Sequence, residues 1–388
     1  MIAVIGGGLT GLTCAIRLAK QGHAVHLFEA APQLGGRTRS FHETKMRQWV
    51  DNGPHLLSGA YRHTQHWLAE MQAEHVHWQP ALSLTLWEAG RRLFRFAPSP
   101  QLPLPLAMAW ALTTMPGHGL QSALGLMKMA RGLRGGIEAL STAAAWMDDC
   151  DLPQALRRDL LTPLCLGIMN ESPESANARS FARTLRESFA SHSTARLGWF
   201  TRPLSEALIR PLEELARRSG VQISTGQRIR RLHDTAAGVE LHANASACHR
   251  FQAAVLAIPP HAAAHLLDIP CRVETRPITN VHLWFEDDPG LPDVFVGGID
   301  TTGQWFFDVS RQMQSTTPTR HICAVISADE RRPVPSQLIL KVCAELQGIT
   351  GRHASPLHAR IVREQRATVL VRPTHAPATV SDHIINAC

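Results

Sequence analysis

The segment IAVIGGGLTGLTCAIRLAKQGHAVHLFE, residues 2–29, permits few folds. Its first four residues are a short apolar run suited to a buried parallel strand. Gly6, Gly8 and Gly11 follow at the GxGxxG spacing. The first serves a tight turn, the second lets backbone approach a pyrophosphate, and the third lets a helix pack closely on the strand. Leu9 and Thr10 lie between them, and Leu9, Leu12, Ile16 and Ala19 recur at helical spacing up to a capping Gly22. Residues 24–28 read as a second strand, and Glu29 at its end stands where a carboxylate accepts hydrogen bonds from an adenosine ribose. A glycine triplet alone is weak evidence. Strand, turn, helix, cap, strand and acid in order within one crossover describe a Rossmann-like dinucleotide site, with phosphates at the helix N-terminus.

A second glycine pair follows in Leu34-Gly35-Gly36-Arg37. A nicotinamide dehydrogenase ordinarily continues its alternating strands and helices here; Pro32 and two glycines instead make a bare loop able to meet a pyrophosphate from its other side. Residues 51–55, DNGPH, are turn chemistry: Gly53 can bring backbone against a flat ring, and Asp51 and His55 are titratable groups beside it that otherwise cap a helix over 56–71. Apolar positions 204, 208, 212 and 215 mark a helix ending at Gly220, before strand-like runs at 221–223, 239–241 and 254–258. These complete a nucleotide domain of residues 1–60 and 203–267, while 61–202 and 268–375 build a second, substrate-covering domain.

Composition narrows the partners. The 388 residues carry a net charge of +7, but only four lysines, and the arginines are dispersed and not gathered with aromatics into a stripe, which argues against nucleic acid. A membrane surface fits better. The longest apolar stretch, 102–116, holds three prolines and is too short to span a bilayer, yet it can lie in the interface. Residues 120–133 would follow it with Leu124, Met127 and Leu133 apolar and Lys128, Arg131 and Arg134 meeting lipid phosphates; an ordinary core-facing amphipathic helix is the alternative. Met1 runs straight into strand, leaving no room for a secretory signal, so a cytoplasmic protein, peripheral on the inner face of the membrane, is expected. The eight cysteines are scattered, without a CxxC pair, which predicts neither disulfides nor zinc. His261 and His265 have helical metal spacing but no third ligand, so no metal is expected. Asp151, ahead of Leu152-Pro153, reads as a helix N-cap.

With its GGR segment after the acidic residue, the chain resembles the flavin-dependent amine oxidase and phytoene desaturase superfamily. The segments DNGPHLLSGAY (51–61), PLCLGIMNESPES (163–175), SFARTLRESF (180–189), AVLAIPP (254–260) and GQWFFD (303–308) are similar to hydroxysqualene dehydroxylases within it. The resemblance implies an α/β fold: a Rossmann-like FAD-binding domain with an inserted, helix-rich α+β substrate domain. FAD would be held by Gly6, Gly8, Leu9, Thr10, Gly11, Glu29, Gly35, Gly36, Arg37 and Gly53, with Ile229 and Ala257 completing the set. The implied reaction converts hydroxysqualene and reduced flavin to squalene and water, a step towards hopanoids or related triterpenes, with Asp51 or His55 protonating the departing oxygen. So apolar an isoprenoid needs a dry tunnel, lined by side chains such as Leu164, Met169, Trp305 and Phe307 and loaded from the bilayer.

Three alternatives stand beside this reading. A carotenoid-type desaturase would run the redox step in the oxidising direction. An amine oxidase would commonly show an aromatic pair and a lysine at the flavin, and Tyr61 is the only tyrosine. The third is a non-catalytic dinucleotide-binding chain: the superfamily's closing strand, Gly-Asp pair and helix have no clear counterpart in the atypical residues 376–388, which read as truncated, leaving a sheet edge uncovered.

Overall fold

The computed structural model describes residues 1–73, 75–90, 92–138, 141–243, 248–271, 273–330, 333–370 and 383–386. Ile2–Ile5, buried on both faces as a parallel strand requires, lies at the centre of a five-stranded parallel sheet. The order is Gln222–Ser224, Val25–Phe28, Ile2–Ile5, Ala253–Leu256, Ile384–Asn386. The helix Leu9–Lys20 covers one face with Leu12, Ala15 and Ile16, together with Leu212 and Ala216 of helix Arg210–Arg218. A three-stranded antiparallel meander, Arg231–Thr235, Gly238–His242 and Cys248–Phe251, covers the other, packing Val239 and Leu241 on Ala3, Ile5 and Phe28. The run 239–241 therefore forms part of a separate layer, while Gln222–Ser224 and Ala253–Leu256 enter the main sheet.

Two local expectations are corrected. Residues 56–71 are not one helix: Leu56–Ser58 is a strand paired with Leu197–Phe200, and the helix runs from Arg62 to Glu70. Tertiary pairing decides the state of a short apolar run that local spacing leaves ambiguous. That helix packs Leu68 against the nucleotide-domain core and pairs Glu70 with Arg17 at 2.6 Å. Second, the edge of Ala253–Leu256 is not bare, because Ile384–Asn386 pairs along it in parallel and buries Ile384. Residues 376–382 and 387–388 lie outside the described residues.

The second domain rests on a seven-stranded sheet ordered His358–Val369, Thr275–Phe285, Arg320–Ser327, Trp305–Asp308, Phe295–Ile299, Leu84–Glu88, Arg92–Phe96. Period-two alternation sends Val281, Leu283 and Phe285 to the helix Pro335–Thr350, where Leu338, Val342 and Leu346 meet them. The even-numbered residues face the opposite side. Helices between residues 104 and 188 form a large apolar cluster with the far strands of this sheet, burying Trp146, Phe181, Leu185 and Phe295. Asp151 does not cap a helix: its carboxylate pairs with Lys128 Nζ at 2.5 Å, and Pro153 occupies the cap position. No helix among the described residues is long and apolar enough to cross a membrane.

Candidate active site: a glycine cleft joined to an apolar cavity

The two glycine segments meet at the C-terminal ends of the parallel strands. Gly8 opens the helix Leu9–Lys20, whose first-turn N–H groups have no intrahelical acceptors. Gly35 N donates to Gly7 O at 2.8 Å, bringing Gly36 over Gly8. A side-chain carbon on Gly36 would sit 3.5 Å from Gly8 Cα, so the space between the segments is walled by bare backbone. Gly35 and Gly36 hold φ of 113° and 56°, which a side chain disfavours. A methyl on Gly11 would strike the Gly6 carbonyl, and one on Gly6 the Ala257 carbonyl, so helix, turn and strand are in contact there. Leu9 is half-buried against the nucleotide-domain core, and Thr10 is exposed. Ile229 is buried in the opposite layer with Phe28 and Val239.

Glu29 closes the cleft. Its carboxylate accepts Gly7 N at 2.6 Å and Ala31 N at 2.7 Å, one on each oxygen, leaving a lone pair on each. Arg37 reaches across the domains: Nη1 donates to Ala367 O at 3.0 Å, pinning the second glycine loop to the end of strand His358–Val369.

Arg37 and Thr38 also begin a cavity of about 570 Å³. Asn52, Gly53, His55, Tyr61, Asn280, Ser327 and Glu364 are among its polar lining. Leu57, Leu84, Leu164, Ile168, Leu185, Phe189, Leu197, Trp305 and Phe307 supply much of its apolar wall. Met169 is not in that wall; it packs into the helical core, and Gly167 and Ile168 line the cavity instead.

Asp51 and His55 part ways here. His55 lines the cavity with an exposed side chain, and desolvation by the protein around it pulls its pKa below the ordinary imidazole value. Asp51 does not line the large cavity. Its Oδ1 accepts Ser40 Oγ at 2.5 Å and Leu204 N at 2.9 Å, tying the hairpin of residues 40–51 to the chain entering residues 205–218. Burial raises its pKa to about 6, and the two hydrogen bonds oppose the rise. Both residues border a second space of about 20 Å³, room for a single water, shared with His282, His321 and Gln312. His282 Nδ1 and His321 Nε2 lie 3.0 Å apart, both buried, and desolvation holds both rings neutral, His282 at a pKa of about 4.

A family model described as flavin containing amine oxidoreductase matches residues 9–368. The chain belongs to this family. It is 29% identical to a hydroxysqualene dehydroxylase of Rhodopseudomonas palustris over 96% of this chain and 87% of the relative. Over 74% of this chain and 54% of the relative it is 23% identical to a 15-cis-phytoene desaturase of Arabidopsis thaliana. The solved structure of cyclohexylamine oxidase from Brevibacterium oxydans superposes with a TM-score of 0.71 at 14% identity, covering 99% of this chain and 92% of that one.

The flavin-containing amine oxidoreductase is FAD-dependent, and its cleft suits the cofactor: backbone-walled space between two glycine segments, a helix N-terminus for phosphate, and lone pairs on Glu29 for ribose. Sequence reasoning missed Asn52, Asn280, Ser327 and the His282–His321 pair. The signal for two of them lay in TNVHLWF, residues 279–285, where Asn280 and His282 interrupt one face of an otherwise apolar strand. It also missed a Glu240, His242 and Cys248 grouping, the one possible metal-ligand group among the described residues, in which Glu240 already pairs with Arg250 at 2.8 Å.

Proposed function

We propose that this oxidoreductase reductively dehydroxylates hydroxysqualene to squalene and water, in a route to hopanoids or related triterpenes. The observation that carries the reading is a largely apolar cavity that adjoins Arg37 of the second glycine segment and places His55 in its lining, with Tyr61 and Glu364 as further titratable groups. When bound and reduced, FAD supplies the two electrons and the hydrogen that replace the hydroxyl. The apolar wall excludes water and holds the hydrocarbon. His55 moves a proton to the departing allylic oxygen, which leaves as water. Asp51, across the water-sized space, holds the proton that reloads His55. Desaturation of a hydrocarbon needs no proton donor for a leaving group, so His55 favours the reductive reading.

The test is turnover of hydroxysqualene by the flavin-reduced protein. His55→Ala should lower kcat about 100-fold with flavin content unchanged. Wild-type kcat should fall as pH rises through about 6, where Asp51 ionises. Equal turnover in His55→Ala removes that residue from the chemistry; failure of the wild type to form squalene removes the substrate.

A bilayer is the source of such a substrate, and the helices Leu104–Thr114 and Leu120–Gly132 suit an anionic one. Leu106, Trp110 and Leu120 are 61%, 64% and 71% exposed, with Leu124 and Met127 beside them. Exposed Arg131 and Arg134 follow at the end of the second helix, while Lys128, expected to join them, is engaged by Asp151. His192 Nε2 donates to Leu102 O at 2.7 Å, linking the start of this surface to the 188–195 segment that borders the cavity. Leu106→Ser with Trp110→Ser should reduce flotation with phosphatidylglycerol vesicles several-fold while the melting temperature holds. Undiminished flotation would contradict this surface.

A further inference from the structure

Along the strand Thr275–Phe285, Ile278 and Asn280 line the large cavity and His282 the small one, and each polar even-numbered side chain but Asn280 is answered within the protein, Arg276 by Glu330. His282 meets His321, and Trp284 Nε1 donates to Gln48 Oε1 at 3.1 Å. Asn280 is 5% exposed and lines the large cavity, yet its amide has no hydrogen bond from the described residues. Its cross-strand partners are Val325 and Val362, and Ile278, Trp305 and Phe307 continue the apolar floor around it.

The site is shaped around that amide. A side-chain carbon on Gly53 would fall 2.5 Å from Asn280 Oδ1 and 2.6 Å from Nδ2, so glycine at 53 leaves the amide its place. This gives Gly53 a role that its turn chemistry did not suggest. Buried amides without partners destabilise a fold, and their persistence beside a cavity marks a group completed by a ligand. A hydrocarbon offers no such completion. A hydroxyl both donates and accepts, as an amide does.

We propose that Asn280 is the specificity-determining residue for the substrate oxygen: its amide binds the hydroxyl of an otherwise hydrocarbon ligand and so sets which carbon lies beside His55. The inference rests on the dehydroxylation reading. It requires that recognition of alcohol over hydrocarbon reside at Asn280, while the leucine, tryptophan and phenylalanine wall binds both alike.

The experiment titrates flavin-loaded protein in detergent with hydroxysqualene and, separately, with squalene, reading the flavin spectrum. Asn280→Leu keeps the branched four-atom skeleton and removes the hydrogen bond; it should weaken hydroxysqualene binding roughly five- to tenfold and leave squalene binding unchanged. Asn280→Ser, which restores a hydroxyl, should recover part of the preference. Equal weakening of both ligands, an unchanged preference, or loss of flavin from Asn280→Leu overturns the proposal while the dehydroxylation reading stands. A wild type that does not prefer the alcohol overturns both.

Discussion

Gly11→Ala is expected to lose its flavin. The added methyl would meet the Gly6 carbonyl and come within 3.3 Å of Ala257 Cβ. The obstructing group is backbone, which cannot rotate aside, so the helix Leu9–Lys20 has to lift from the strand Ile2–Ile5. Overpacking of this kind costs about 3 kcal/mol, and the lift moves the first-turn N–H groups away from the phosphates they would hold. Purified Gly11→Ala should therefore carry little flavin and melt below the wild type. Gly119→Ala is the control: no atom lies within 4 Å of the added carbon, and both flavin content and stability should match the wild type. Full flavin in Gly11→Ala would mean that the contact between turn and helix does not organise the cleft.

Asp51 should show an effect of similar size with the opposite sign. Its pKa rises from 3.8 to about 6 on folding because burial penalises the carboxylate. Between those values the folded protein binds more protons than the unfolded chain, so stability is fully present below the unfolded pKa and declines as pH rises towards about 6. The loss is on the order of 3 kcal/mol. Asp51→Asn keeps an acceptor for Ser40 and Leu204 and carries no charge. It should match the wild type near pH 4 and exceed its stability at pH 7 by that amount, as read by denaturant unfolding at both pH values. A stability difference that does not change with pH would contradict the burial argument.

The local parts of the structure were legible in the chain. A crossover of strand, glycines, helix, cap and acid occupies 28 consecutive residues, and each step has its own chemical signature, so Ile2–Ile5, Leu9–Lys20 and Val25–Phe28 fall where the pattern predicts. The second glycine loop was legible for the same reason. What the pattern did not hold depends on partners distant in sequence. Leu56–Ser58 is a strand because residues 197–199 pair with it, and Ile384–Asn386 covers an edge that local reading leaves bare. The site divides likewise. His55 and Asp51 stand four residues apart, but which of them reaches the substrate cavity depends on Ser40 and Leu204 drawing Asp51 inward. Asn280 is separated from Gly53 by more than two hundred residues, and nothing in either segment announces their contact.

The central claim is that the glycine cleft and the apolar cavity form one site, in which flavin and isoprenoid react. The most direct measurement is anaerobic. The bound flavin is reduced until the protein is colourless, excess reductant is removed, and hydroxysqualene is added. The account predicts that the yellow absorbance returns as squalene forms, one molecule for each flavin. A protein that stays colourless with hydroxysqualene and regains its colour only when oxygen is admitted would contradict it.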